Sequence, residues 1–507
     1  LISGVICALT ACAALAGGPR WLRIAQREHY LAGSVTRFAV RWWVSRPENQ
    51  VLGGVLLIGV GTAYAGWWEG AAVAGAVSLI APLGLSYRGR SSKLAWTRRL
   101  RTLAVVAAFL VIAIATAGTF LGAPAGVSAT LAACAPVVAD LALMATAPLE
   151  RRLARRFVDT ARHRLAEVSP RVVAITGSYG KTSTKFYAGH LLRAKYATAT
   201  SPASFNNMAG LARAVNERLR SDAEVFVAEM GTYGPGEIRA LCAWLKPEIA
   251  VITALGPVHL ERMGSLDNIA RAKAEILESA QVAVINVDNP RLAALAADCG
   301  RPGRTVVRCS AADPAADVCA MADGDKVTLS ARGQSLGTFD LAGGFPGNLA
   351  CAVGVALAMD IPGSEIAARI ATLPRPEHRQ TILPARDGIT VIDDTYNSNP
   401  DGSAGALTTL ASMAAGHRRV VVTPGMVELG GEQSSANEAF ARRAATVATD
   451  IVVVGRTNRR ALLRGAAAGS ASVLTCASRP EAVAWVRGNV GEGDAVLYEN
   501  DLPDHYP

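Results

Sequence analysis

Five apolar segments crowd the first 147 residues of the chain, at about Leu1–Gly17, Val51–Trp67, Ala71–Tyr87, Leu103–Leu121 and Val127–Ala147. Each is about as long as a helix must be to cross a bilayer, roughly 20 residues. Runs of this kind leave the backbone little choice. In hydrocarbon every amide must find its partner inside its own segment, and a helix does that. The loops between them alternate in charge. Arg20, Arg23, Arg27, Arg37, Arg41 and Arg46 separate the first two segments, and Arg88, Arg90, Lys93, Arg98, Arg99 and Arg101 separate the third and fourth. Arg151, Arg152, Arg155 and Arg156 follow the fifth, whereas the other two loops carry almost no charge. Basic loops stay on the cytoplasmic side, so the pattern predicts an N-terminus outside and everything after Ala147 in the cytoplasm. Trp42, Trp43, Trp67, Trp68 and Trp96 fall near segment ends, as an aromatic belt would. Asp140 sits inside the fifth segment. It reads either as a functional intramembrane acid or as a residue packed against neighbouring helices. The first segment starts at Leu1 with no Met and no basic leader, which reads as a truncated start rather than a cleaved signal peptide.

The apolar excess explains a mean hydropathy of +0.26. The net charge of +10 is accounted for largely by the topology-setting arginines. No aromatic-interleaved basic stripe points to nucleic acid. None of the nine cysteines forms a CxxC pair, so they read as small buried hydrophobes rather than a zinc ribbon or disulfide framework.

Past Ala147 the pattern changes. Glu150–Glu167 reads as a basic amphipathic helix with Leu153, Phe157, Ala161 and Leu165 on one stripe, a connector lying along the membrane surface. From Arg171 short β-rich runs alternate with Ala-rich helices: Val225–Ala228, Ile249–Thr253 and Val282–Asn286, then a more irregular stretch with Val306–Arg308, Val327–Ser330 and Thr338–Leu341. A second series follows at Thr390–Ile392, Val420–Thr423, Ile451–Val454, Val473–Thr475 and Ala495–Tyr498. This alternation predicts two α/β units with parallel sheets and helices on both faces. The expected domains are residues 1–149, a transmembrane helical domain of five spans; 150–374, a central ATP-binding domain; and 375–507, a Rossmann-like C-terminal domain. Pro374-Arg375-Pro376 marks the linker between the last two.

The chemistry concentrates in Gly177-Ser178-Tyr179-Gly180-Lys181-Thr182-Ser183-Thr184, which follows the apolar run Val172–Ile175 and precedes a helix start at Lys185–Arg193. Two glycines allow a tight turn, and the amides of that turn and of the helix N-terminus converge on one place, as phosphate requires. Lys181 adds a point charge, and the Thr182 hydroxyl suits Mg²⁺. The general phosphate-loop template has four residues between its glycines, and here there are two. Glu229 ends a predicted strand, where an acid can hold Mg²⁺ directly or through water. His259 follows a Gly256-Pro257 turn, and Lys273 lies on a helix after Gly264-Ser265. Taken singly, the histidine reads as structural and the lysine as a solvated helix residue.

Together these residues resemble the Mur ligases of cell-wall synthesis, and within them the D-alanyl-D-alanine-adding branch. The resemblance covers about Ser169 to Val496. It rests on the short-spaced glycine loop, Phe205-Asn206-Asn207, Glu229-Met230-Gly231 and Pro257-Val258-His259-Leu260-Glu261. It continues through Ala272-Lys273-Ala274-Glu275-Ile276, Asn286-Val287-Asp288-Asn289-Pro290, Glu377-His378-Arg379-Gln380 and Asp393-Asp394-Thr395-Tyr396-Asn397-Ser398-Asn399-Pro400. It implies that Gly177, Ser178, Tyr179, Gly180, Lys181, Thr182 and Ser183 hold the phosphates of ATP, with Asn348 also at the nucleotide. It implies one Mg²⁺ at Thr182 and Glu229 and a second near His259. Lys273 is implied to be carbamoylated, giving a carboxylate-like metal ligand. Arg379 is implied to reach the γ-phosphate, Asp394 the ribose, Tyr396 and Asn399 the adenine, and Asn206 and Asn207 the substrate. The implied reaction is amide formation. ATP converts a carboxylate to an acyl phosphate, which an amine attacks, with Lys181, His259, Lys273 and Arg379 in the catalytic set.

Departures from the family also matter. The UDP-sugar-binding first domain is missing, and the apolar segments take its place. Pro424-Gly425-Met426-Val427-Glu428-Leu429-Gly430 lacks a usual aspartate, and Cys351 stands where the family usually places an adenine-facing asparagine. Tyr498-Glu499-Asn500-Asp501 replaces a basic Lys-Gly-Ser-type ending. The expectation is therefore a multi-pass protein of a bacterial inner membrane with its catalytic domains in the cytoplasm. Its carboxylate is a small molecule or lipid-linked. A synthase of a poly-amino-acid is an alternative of the same class, and an ATP-driven transporter one of a different class. A transporter leaves Lys273 and the Asp394 motif unexplained.

Overall fold

The computed structural model describes residues 2–87, 94–202, 205–258, 260–300, 302–324, 326–340, 345–374, 381–384, 388–395, 398–414, 416–502 and 506. The chain divides into two compact units, Leu1–Ala154 with Leu502–Pro507, and Arg155–Asp501. The central and C-terminal domains expected from the sequence therefore belong to one unit.

The first unit is helical: α1 (Ile2–Arg27), α2 (Ser34–Val44), α3 (Pro47–Tyr64), α4 (Trp68–Ile80), α5 (Arg98–Phe120), α6 (Pro124–Ala133) and the beginning of α7 (Ala135–Val168). All five apolar segments fall on helices, but not on five equal ones. Among the described residues α1 from Gly4 and α5 are long and apolar enough to cross a membrane, and α6 with α7, bent by 80°, makes a third if counted as one broken span. The third expected segment is cut short. Ala81 is extended because it precedes Pro82, so α4 stops after 13 residues, a rise of about 20 Å against a hydrocarbon core of about 30 Å.

Asp140 packs against a neighbouring helix and caps it. Its Oδ1 accepts from the amides of Gly33 and Val35 at 2.9 and 3.3 Å, and its Oδ2 from the Thr36 amide and hydroxyl at 2.8 and 2.5 Å. These are orphan donors at the start of α2, whose own cap residue, Gly33, has no side chain to offer.

The second unit holds two sheets. In the first, β2 (Thr198–Thr200), β3 (Val225–Glu229), β1 (Arg171–Thr176), β4 (Ile249–Ile252), β5 (Val282–Asn286) and β6 (Thr305–Ser310) lie side by side and parallel. The irregular stretch extends this sheet as β7 (Val318–Asp323), β8 (Lys326–Ala331) and β9 (Gln334–Asp340), the last two pairings antiparallel. Strand residues alternate between two cores. Val172, Ala174, Phe226 and Ala228 face one, and Val173, Ile175, Val225 and Val227 the other. That two-sided burial is why these strands read as continuous apolar runs.

The second sheet has the order β10 (Thr381–Pro384), β11 (Thr390–Asp394), β15 (Ala495–Glu499), β12 (Arg419–Thr423), β13 (Asp450–Val454) and β14 (Ser472–Cys476), antiparallel only at β10. The edge strands β2 and β10 were not foreseen from the sequence. Each is short and lies at a sheet edge, so periodicity leaves little trace.

The expected membrane-surface connector is instead the second half of α7. Val158, Ala161 and Leu165 are buried in a core of the α/β unit. An amphipathic stripe needs an apolar cover, and the sheet domain supplies it for Ala161 and Leu165, while Phe157 of the same stripe is exposed. All nine cysteines are free; six are buried, Cys134 and Cys299 are half-buried, and Cys12 is exposed rather than buried.

Candidate active site

In a parallel sheet a crevice opens at the carboxyl ends of strands where the chain order reverses. Here that point is β1, flanked by β3 on one side and β4 on the other. The glycine loop leaves β1 there, and α8 (Lys181–Leu192) begins at Lys181, four residues before the expected helix start. Gly180 has φ +78°, a conformation that disfavours a side chain, and a Cβ there would also overlap the Asn348 carboxamide. A Cβ on Gly177 would overlap the Thr253 hydroxyl. Gly180 is therefore favoured by its backbone conformation, and Gly177 by close neighbours that include the Tyr179 carbonyl. The segment after β4 holds the loop in shape. The Ser178 amide donates to Ala254 O at 2.8 Å, the Ser178 hydroxyl to Gly256 O at 3.0 Å, and Thr253 Oγ1 to Tyr179 O.

Lys181 curls over this loop, with Nζ 2.7 Å from Gly177 O. Thr182 Oγ1 donates to Glu229 Oε2 at 3.0 Å, joining the start of α8 to the end of β3. Asn206 Nδ2 donates to Glu229 Oε1 at 3.2 Å. Lys185 Nζ, absent from the expected site, donates to Glu229 Oε2 at 2.9 Å, and the two side chains are only 6% and 4% exposed. Burial raises the Glu229 carboxyl, but the charge and hydrogen bond of Lys185, with help from Lys181 and Asn206, leave it below its ordinary value. Thr182 and Glu229 are hard oxygen donors. That set fits Mg²⁺, which takes one or two protein oxygens and completes its shell with water and phosphate.

Lys273 lies in the last turn of the helix Leu266–Ala274, which Ser265 caps through the Asn268 amide. Yet it is not solvated. Its exposure is 6%, and burial together with the charge of Lys181 pushes its amine well below the usual lysine value. That shift favours the uncharged form of the amine.

Other expected site residues have visible local duties. Asn207 caps α9 (Met208–Arg218) through the Gly210 amide at 2.9 Å, and Asn399 caps the helix Pro400–Ala411 through Gly402 N at 2.9 Å. Cys351 is fully buried beside Cys309, in the core between β6 and the helix Pro346–Ala358. Asn348, one turn earlier, is the residue of that helix at the loop. Ser183 is buried behind the loop. His259, Arg379 and Tyr396 lie outside the described residues, as do Arg375 and Pro376 of the expected linker.

Asp394 ends β11 directly opposite Glu499 at the end of β15. Glu499 also accepts a hydrogen bond from Ser398 Oγ. The two sheets meet near this chemistry, since Leu260 N donates to Glu428 O at 3.1 Å. The loop bearing Glu428 is clamped by Asn437 and Asn458, whose amides donate to Met426 O at 2.9 Å each.

Lys185 carries a signal of its contact with Glu229 in its sequence spacing. It lies four residues after Lys181, so once the helix starts at Lys181 both project from one face.

Residues 175–355 match the Mur ligase middle domain, and residues 378–498 match the domain described as Mur ligase, glutamate ligase domain. A UDP-N-acetylmuramoyl-tripeptide–D-alanyl-D-alanine ligase of Mycobacterium leprae is 32% identical over 366 residues, covering 64% of this chain and 70% of that protein. The Escherichia coli K12 ligase of the same name is 30% identical over 333 residues, covering 62% and 72%. In fold, the chain is similar to MurF from Acinetobacter baumannii, with TM-score 0.60 and 23% identity over 69% of this chain and 77% of that one. It is also similar to MurF ligase from Thermotoga maritima in complex with ADP, with TM-score 0.59, 23% identity, and 69% and 80% coverage. The sheet order, the loop at its switch point and these likenesses have one explanation: the chain belongs to the Mur ligase family of ATP-dependent acid–amino-acid ligases.

Proposed function

We propose that this chain is a membrane-anchored, ATP-dependent amide ligase of peptidoglycan-precursor synthesis, working on the cytoplasmic face of a bacterial inner membrane. In this reading the amides of Gly177–Ser183 and Lys181 hold the β- and γ-phosphates. Thr182 and Glu229 hold Mg²⁺, with His259 near a second ion. Arg379 acts on the γ-phosphate, Asp394 on the ribose, Tyr396 and Asn399 on the adenine, and Asn206 and Asn207 on the substrate. A carboxylate takes the γ-phosphoryl group, an amine attacks the acyl phosphate, and phosphate leaves as the amide forms. These residues position the reactants and neutralise charge on the transferring group. Bound Mg²⁺ would screen the phosphate oxygens.

The observation that carries the reading is Lys273. A transporter motor has no evident use for a buried lysine whose amine is pushed down by burial and by the charge of the phosphate-loop lysine. Lowering the amine favours the uncharged form that adds CO₂, and a carbamate there would supply oxygen ligands. Mycobacterial and enterobacterial relatives with the matched domains carry the name of a D-alanyl-D-alanine-adding ligase. A UDP-linked muramoyl tripeptide and D-alanyl-D-alanine are accordingly the first substrates to try.

A second reading keeps the chemistry and changes the carboxylate to one presented at the membrane, lipid-linked or polymeric. It is favoured by the apolar helices α1 and α5 upstream of the matched region, which starts at residue 175.

The test is phosphate release by the purified full-length chain. Release should need ATP, the carboxylate and the amine together, and Lys181→Ala should abolish product while leaving membrane insertion intact. Brisk ADP formation with neither substrate would sink the ligase reading and favour a motor.

A further inference from the structure

Glu229 has more donors than a metal ligand needs. Thr182 and Lys185 share its Oε2 at 3.0 and 2.9 Å, and Asn206 takes Oε1 at 3.2 Å. Lys185 is held as firmly as the carboxylate it serves. It projects from the second turn of α8, is 5% exposed, and its Nζ also lies 3.4 Å from Pro202 O. A lysine here cannot reach solvent to shed its role, and its charge lies against the oxygen nearest Thr182. A divalent cation bound at Thr182 and Glu229 would meet this ammonium as a like-charged neighbour.

We propose that Lys185 is a positioning residue of the nucleotide site, a built-in cation that keeps the Glu229 carboxylate turned toward Thr182 without Mg²⁺ and opposes Mg²⁺ once it binds. The inference rests on the reading of Gly177–Thr182 and Glu229 as a Mg²⁺–nucleotide site. Its consequence is a moderated metal affinity: the carboxylate is preorganised at the cost of a fixed positive charge beside the ion. Without Lys185 the buried carboxylate has Lys181 as its remaining charged helper. The metal-free protein should then suffer more than the metal-loaded one.

The experiment compares the full chain with its Lys185→Met variant. Thermal unfolding is followed in EDTA and in saturating Mg²⁺ with ADP, and ADP binding is titrated against Mg²⁺ by calorimetry. In EDTA the variant should melt about 5 °C or more below wild type. That deficit should shrink with Mg²⁺ and ADP. The Mg²⁺ concentration for half-maximal ADP binding should fall on the order of tenfold, the scale of removing one like charge from a partly desolvated site. Equal melting deficits in both conditions, or a Mg²⁺ requirement unchanged or raised, would show a merely structural lysine and overturn the proposal. Wild-type protein that binds no ADP in Mg²⁺ would overturn the nucleotide-site reading and this inference with it. A variant too unstable to purify is replaced by Lys185→Arg. That variant keeps the charge and should match wild type in its Mg²⁺ requirement, and a tenfold change there would equally refute the proposal.

Discussion

Replacing Glu499 with glutamine should stabilise the α/β unit by an amount that grows with pH. Glu499 is 1% exposed and ends β15 in register with Asp394. Burial raises its carboxyl well above the ordinary range, and the neighbouring Asp394 charge adds to the effect, while the Ser398 hydrogen bond works against it. The folded state thus keeps a proton that the unfolded chain gives up near pH 4.3. Below that pH both states are protonated and the group has no effect. As pH rises above it, the folded state binds more protons than the unfolded one, so stability falls. The slope is about 1.4 kcal/mol per pH unit until the folded value is reached. Glutamine is neutral at every pH. It can donate an N–H toward Asp394 as the protonated acid does, and accept from Ser398. The difference between variant and wild type should therefore be smallest near pH 4.5 and grow in the variant's favour as pH rises, by at most about 1.4 kcal/mol per pH unit. Urea unfolding of the full chain at pH 5, 6, 7 and 8, followed by tryptophan emission, reads this directly. A difference that stays constant with pH would refute the argument, because a purely steric or packing effect does not titrate.

Gly180→Ala should weaken ADP binding by about tenfold or more. The left-handed backbone alone costs roughly 1–2 kcal/mol, and the new Cβ displaces Asn348. Calorimetry decides it, and an affinity within twofold of wild type would mean that the loop geometry is not needed. Asp140→Ala strands the donors at the start of α2 and should destabilise the first unit by on the order of 3 kcal/mol, with ADP affinity unchanged. Thermal melting checks this. A normal melt combined with lost activity would instead make Asp140 a functional acid.

Much of the α/β organisation was legible in the linear pattern. Strands buried on both faces, such as β1 and β3, are continuous apolar runs bounded by turns, and local periodicity is enough to find them. The edge strands β2 and β10 are too short for that. The extent of α7 was misjudged because an amphipathic stripe says that a cover exists, not whether it is lipid or protein. The apolar segments could be found by length and composition, yet Pro82 shortens α4 and the α6–α7 bend breaks another. Those are properties of the backbone rather than of mean hydropathy.

By itself, the amino-acid order determined the loop Gly177–Thr184, the acid at the end of β3, the lysine in its capped helix and the run of motifs that places the chain in its family. These are local or serial facts, carried by residue type and spacing. Tertiary structure decided what those side chains meet. It buried Lys273 beside Lys181, turned Cys351 into a core, set Glu499 against Asp394, and gave Asp140 to the start of α2. It also put Lys185 on Glu229, 44 residues away along the chain. Desolvation and charge pairing depend on neighbours in space, and the order of strands β2-β3-β1-β4 is what makes these residues neighbours.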